Sequence, residues 1–164
     1  MQDKNAKNTK AIKTETIKIC GITVKLNRIN LKLSNCNLDH IPEEINLLTK
    51  LQYLNLEGNQ ITKIQNLYNL TNLKTSNLKG NLITKIQCLD SLINLQKLNL
   101  EGNLIEKIEN LEKLINLKDL LLSKEQGELY MPKEFFLTLV NNKFKKFFND
   151  SSLLKYEWHK NLQI

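Results

Sequence analysis

Histidine, cysteine and glycine are the residues through which a chain of this size could hold a metal, build a nucleophile or cradle a phosphate. Their placement here supports none of the three. Cys20, Cys36 and Cys88 fall at no metal-ligand or disulfide spacing. His40 and His159 are separated by most of the chain, with no nucleophile or paired carboxylate at a diagnostic spacing. His40 reads as a turn residue beside Ile41-Pro42, and His159 as a polar residue near the C-terminal end. Glu57-Gly58-Asn59, Lys79-Gly80-Asn81 and Glu101-Gly102-Asn103 each carry one isolated glycine and match neither GxxxxGK nor GxGxxG. The chain is therefore expected to be no enzyme, with no cofactor, no metal and no small-molecule substrate.

What does recur is a hydrogen-bonding residue. Asn59, Asn81 and Asn103 stand at the same place in three segments of 22 residues: LQYLNLEGNQITKIQNLYNLTN from Leu51, LKTSNLKGNLITKIQCLDSLIN from Leu73 and LQKLNLEGNLIEKIENLEKLIN from Leu95. The shared template is LxxLxLxxNxIxxIxxLxxLxx, and Ser76 departs from it in a leucine column. A looser copy precedes them, with Leu31, Leu33, Cys36, Leu38, Ile41, Ile45 and Leu48 in the same columns, one extra residue, and Pro42 in the variable half. A degenerate copy begins at Leu117, keeps Leu120 and Leu122, and loses the asparagine column at Glu125.

These residues resemble the leucine-rich-repeat family, and the IxxIxxL half is similar to its short intracellular Sds22-like subclass, which includes a phosphatase regulator and an axonemal dynein light chain. The resemblance covers residues 28–124. It implies an α/β solenoid: a short curved array of about five repeats, with a parallel sheet on the concave face and a cap at each end. It also implies a non-catalytic protein-interaction scaffold, a structural subunit of a larger cytoskeletal or axonemal assembly in the cytoplasm or cilium. A phosphatase regulatory subunit and a ribonucleoprotein component are the alternatives it leaves open. Cysteine is a known variant of the asparagine column, so Cys36 joins Asn59, Asn81 and Asn103 there.

The same organisation follows from the side chains. In an LxL segment the two leucines point to one face of a strand and the residue between them to the other. Stacked copies then make a parallel sheet. An asparagine where the chain leaves the strand satisfies backbone groups of its own turn and its neighbour's. One repeat buries too little apolar surface to offset the entropy of ordering its own backbone, so stability belongs to the stack.

The residues between the paired leucines are the candidate binding face: Lys32, Asn55, Asn77, Asn99 and Leu121. Flanking columns add Tyr53, Lys97 and Asp119 on one side and Glu57, Lys79 and Glu101 on the other. Tyr53 is the best single anchor, because aromatics are enriched at binding hot spots. Five strands about 4.8 Å apart present only about 24 by 12 Å, whereas a standard interface takes about 800 Å² from each partner. A stable partner is thus expected to touch the loops or the C-terminal segment too.

Composition bounds the remainder. The chain is 41% hydrophobic and 25% charged, with a net charge of +7. Residues 1–27 carry +4 of that excess and residues 28–124 only +2. The excess is mostly a tail. Residues 1–14 are expected to be a disordered basic tail, through which nucleic acid is a lesser alternative partner. No apolar run of membrane-spanning length occurs, and the opening residues lack the apolar core of a secretion signal, so a cytoplasmic location is expected. Alternation at Ile17, Ile19, Ile22, Val24 and Leu26 suggests one or two strands in an N-terminal cap over 15–27. Residues 125–164 are aromatic-rich. Pro132 followed by Phe136, Leu139, Val140, Phe144 and Phe147 predicts an amphipathic helix in a C-terminal cap. Phe135, Phe148 and Trp158 are candidate partner contacts there.

Overall fold

A computed structural model of the chain describes residues 15–122. Their architecture is a parallel-sheet solenoid. An antiparallel hairpin leads, with strands β1 (Thr16–Ile19) and β2 (Ile22–Lys25). Five short strands follow: β3 (Asn30–Lys32), β4 (Tyr53–Asn55), β5 (Thr75–Asn77), β6 (Lys97–Asn99) and β7 (Asp119–Leu121). They form one parallel sheet in sequence order. The described segment makes four turns of the coil between the five strands of this sheet.

The register reproduces the repeat alignment residue for residue. Tyr53 pairs with Thr75, Leu54 with Ser76 and Asn55 with Asn77, and the same columns continue to Lys97, Leu98 and Asn99. A slip of one residue would turn every buried leucine to solvent, so burial holds the register. The step from β3 to β4 is 23 residues rather than 22. Its extra residue falls in the connection that holds a short 3-10 helix, Glu43–Leu47, with Pro42 before its first turn.

An α/β solenoid with helices is corrected in one respect: among the described residues no α-helix forms, and the outer wall is built of tight turns and that single 3-10 segment. The cause lies in the period. Ile61, Ile64, Leu67, Leu70 and Leu73 are spaced three apart and all fully buried. An α-helix advances about 100° per residue, so residues three apart drift about 60° per step and five of them cannot share one face. A chain of three-residue turns can. Its hydrogen bonds run accordingly, from the Leu70 N–H to the Leu67 carbonyl at 3.0 Å and from the Leu73 N–H to the Leu70 carbonyl at 2.9 Å, and again at Leu92 and Leu114.

Between sheet and turns runs one continuous core of leucine and isoleucine from Ile19 to Leu122. The hairpin closes its first end. Cys20 and Gly21 both have positive φ, at 51° and 78°, the two-residue loop that matches strand twist. Ile19 and Val24 are buried against the first repeat, with Ile17 and Leu26 partly buried beside them. The expected helical cap over 125–164, with Phe135, Phe148 and Trp158, and the tail over 1–14 lie outside the described residues.

Three buried asparagines stitch the turns together. Asn81 Nδ2 donates to the carbonyls of Leu56 and Leu78 at 3.0 and 2.9 Å, while its Oδ1 accepts the Ile61 N–H at 3.1 Å. Asn103 repeats this with Leu78, Leu100 and the Ile83 N–H. Asn59 does the same with Leu33 and Leu56, and accepts the N–H groups of both Cys36 and Leu38. Cys36, in the same column, keeps its thiol exposed. A second ladder runs on the outer wall, where Asn72, Asn94 and Asn116 donate to the carbonyls of Thr49, Thr71 and Ile93 at 2.8 to 2.9 Å. Its sequence signal is the asparagine that closes each template copy.

Glycine is required where the chain leaves the strands. Gly58, Gly80 and Gly102 stack with φ of 69°, 64° and 62°. A Cβ on Gly102 would stand 3.5 Å from the Gly80 backbone, ordinary contact, so the left-handed backbone rather than space demands glycine there.

Candidate interaction face

Each strand of the parallel sheet buries one residue, its second, and turns its first and third to the open side. The open side has three columns. The middle column is Lys32, Asn55, Asn77, Asn99 and Leu121, joined across the sheet by the strand register. Toward the strand starts lie Asn30, Tyr53, Thr75, Lys97 and Asp119. Toward the strand ends lie Ser34, Glu57, Lys79 and Glu101. Lys32, Lys79 and Lys97 are exposed, while Tyr53, Asn55, Glu57, Asn77, Asn99, Glu101, Asp119 and Leu121 are half-buried.

The asparagine stripe is less available than its composition implies. The Oδ1 atoms of Asn55, Asn77 and Asn99 each accept the backbone N–H two residues on, from Glu57 at 2.9 Å, Lys79 at 3.1 Å and Glu101 at 3.0 Å. Asparagine favours this local turn, since its short side chain reaches that amide without strain. The oxygens are therefore spent on strand ends, and the amide nitrogens point along the face. Two of these are held as well: Asn77 Nδ2 donates to Glu57 Oε2 at 3.0 Å, and Asn99 Nδ2 to Glu101 Oε2 at 3.4 Å. Lys79 Nζ lies 3.6 Å from Glu101 Oε2.

A polar network thus rigidifies the strand-end margin, with Glu57, Lys79 and Glu101 tied to the asparagines. The strand-start margin differs. Tyr53, Thr75 and Lys97 have no side-chain hydrogen bond among the described residues, and Lys74 and Lys118, exposed at the position just before the strands, add positive charge beside Lys97. Lys74 and Lys118 lie outside the columns that the repeat marks as a binding face. Their signal was the alternation Gln52, Lys74, Gln96, Lys118 in the second column of the template. Asp119 offsets part of this charge on the last strand.

Among the described residues no group of three or more His, Cys, Asp or Glu side chains is placed to hold a metal ion, and no helix is long and apolar enough to cross a membrane. Burial and the neighbouring Cys36 and Glu44 push the Cys20 thiol up from its usual range, away from nucleophilic thiolate character.

No protein-family profile matches the chain, and no curated protein is recognisably similar to it. Solved structures do resemble it. A leucine-rich-repeat protein of Leptospira interrogans superposes with a TM-score of 0.57 at 25% identity, covering 76% of this chain. An internalin of Listeria monocytogenes superposes with a TM-score of 0.54 at 22% identity, covering 82% of this chain. The chain spans 38% and 47% of the lengths of these two proteins. With its parallel sheet, buried asparagine column and turn-built wall, the described segment folds as leucine-rich-repeat proteins do.

Proposed function

We propose that this chain is a non-catalytic protein-interaction scaffold that docks a partner across the open face of its sheet. The observation that carries the reading is the division of that face. One margin is held rigid by its own amide and carboxylate bonds, while Tyr53, Thr75 and Lys97 on the other present side chains with no hydrogen bond among the described residues. Rigid presentation lowers the entropy cost of association, and an aromatic beside cations suits a partner with a carboxylate-rich, hydrogen-bonding surface. The likeness of the IxxIxxL half repeat to the Sds22-like subclass points further, to a structural subunit of a cytoplasmic cytoskeletal or axonemal assembly.

Site-specific photo-crosslinking from positions 53 and 97 in the full chain, expressed in cells, tests this. The expected result is one dominant protein crosslinked from both positions and lost from affinity captures of a Tyr53→Ala/Lys97→Glu double variant, with binding weakened at least about tenfold. Crosslinks confined to the outer wall would remove the sheet face from the reading. Recovery of a phosphatase catalytic subunit or of RNA would replace the cytoskeletal assignment, and hydrolytic turnover above background would end the non-catalytic one.

A further inference from the structure

A second feature lies on the outer wall, away from the sheet. Between the buried residues Ile61 and Ile64, and again between Ile83 and Ile86, the chain exposes a Thr-Lys pair. A groove of about 290 Å³ opens there, lined by Thr62, Lys63, Thr84, Lys85 and Gln87. The lysines belong to a longer column, for the template brings His40, Lys63, Lys85 and Lys107 to the same place on successive turns.

The column is neutralised only at its ends. His40 is bonded to the Asp39 carboxylate, and that bond holds Asp39 below the usual carboxylate range. Lys107 Nζ lies 2.7 Å from Glu109 Oε2. Among the described residues Lys63 and Lys85 have no carboxylate within ion-pair distance. They are also held close. The Leu82 N–H donates to the Ile61 carbonyl at 2.9 Å, which keeps the two turns at sheet-like spacing just before the lysines. Lysines on adjacent turns raise the local positive potential, and an anion of charge two placed between them lowers it.

We propose that this groove binds a phosphorylated side chain of a protein partner. A phosphoryl group carries about −1.5 to −2 charge and three strong acceptor oxygens. It matches two ammonium groups together with the Thr62 and Thr84 hydroxyls and the Gln87 amide as donors. An extended acidic peptide fits less well. Its same-side carboxylates bring one charge about every 6.6 Å, whereas one phosphoryl group brings about two charges to a single point. On the next turn Lys107 is already paired with Glu109, and Glu106 stands in the column of Thr62 and Thr84, which confines the site to the Lys63–Lys85 step. The site is separate from the sheet face, so either can fail without the other.

Fluorescence anisotropy of the full chain with a labelled phosphoserine peptide library, a matched unphosphorylated library and anionic lipid vesicles decides the matter. Phosphopeptides should bind, inorganic phosphate should displace them, and Lys63→Gln/Lys85→Gln should weaken binding by about tenfold or more. Both lysines are exposed, so the double variant should keep the parent thermal midpoint. Lys50→Gln, at an exposed lysine of neither face, should bind as the parent does. Equal binding of the unphosphorylated library, undiminished binding by the double variant, or binding of vesicles without phosphopeptides would overturn the proposal.

Discussion

Two columns of asparagine run through this molecule at the same spacing, four residues out of phase, and the structure gives them different work. Asn59, Asn81 and Asn103 are buried, and each uses both ends of its amide to tie its own turn to the preceding one. Asn55, Asn77 and Asn99 are half-buried on the open face and use only the oxygen for the backbone, leaving the nitrogen to a carboxylate or to solvent. The same side chain is thus a structural bolt in one column and a partly available donor in the other. What separates them is access to water, because an unpaired buried amide costs its full desolvation penalty whereas an exposed one does not.

The largest expected effect is at Asn81. Asn81→Ala leaves the Ile61 N–H and the Leu56 and Leu78 carbonyls without their buried partner, and should lower stability by about 3 kcal/mol in a urea titration. A loss below about 1 kcal/mol would mean that water replaces the amide and that the two columns are equivalent. Ser76 sharpens the contrast from the opposite side. It is fully buried like Asn81, but its Oγ has no hydrogen-bond partner. Removing the hydroxyl in Ser76→Ala should therefore raise the unfolding free energy, by about 1 kcal/mol. A lower denaturation midpoint in that variant would show the hydroxyl to be satisfied in solution. The smallest effect belongs to the face. Asn77→Ala removes one strand-end bond and one bond to Glu57, both partly solvated, and should cost less than about 1 kcal/mol. Its amide exchange should rise locally at Lys79 and not at Ile61.

Much of this was legible in the residues. The 22-residue spacing predicted the parallel sheet, and the alignment of columns became the strand register. The outer wall was also readable, though the α/β expectation missed it: a strict spacing of three at Ile61, Ile64, Leu67 and Leu70 suits turns and excludes a helix face. Other features were not. Cys88 and Asn66 share a column and a left-handed backbone, with φ of 56° and 58°, yet only the asparagine donates to a neighbouring carbonyl, that of Ile41 at 2.7 Å. Nor does the sequence show that the oxygens of Asn55, Asn77 and Asn99 close the strand ends. The pairing of His40 and Lys107 with acids of their own turns, which singles out Lys63 and Lys85, was likewise hidden in a column that looks uniformly basic.

The amino-acid order alone determined which residues stack and in what register, because apolar columns repeated at one spacing have only one alignment that buries them all. It could not decide which polar groups in those columns remain available to another molecule. That depended on how closely consecutive turns approach, since a hydrogen bond between neighbouring coils exists only once both are in place.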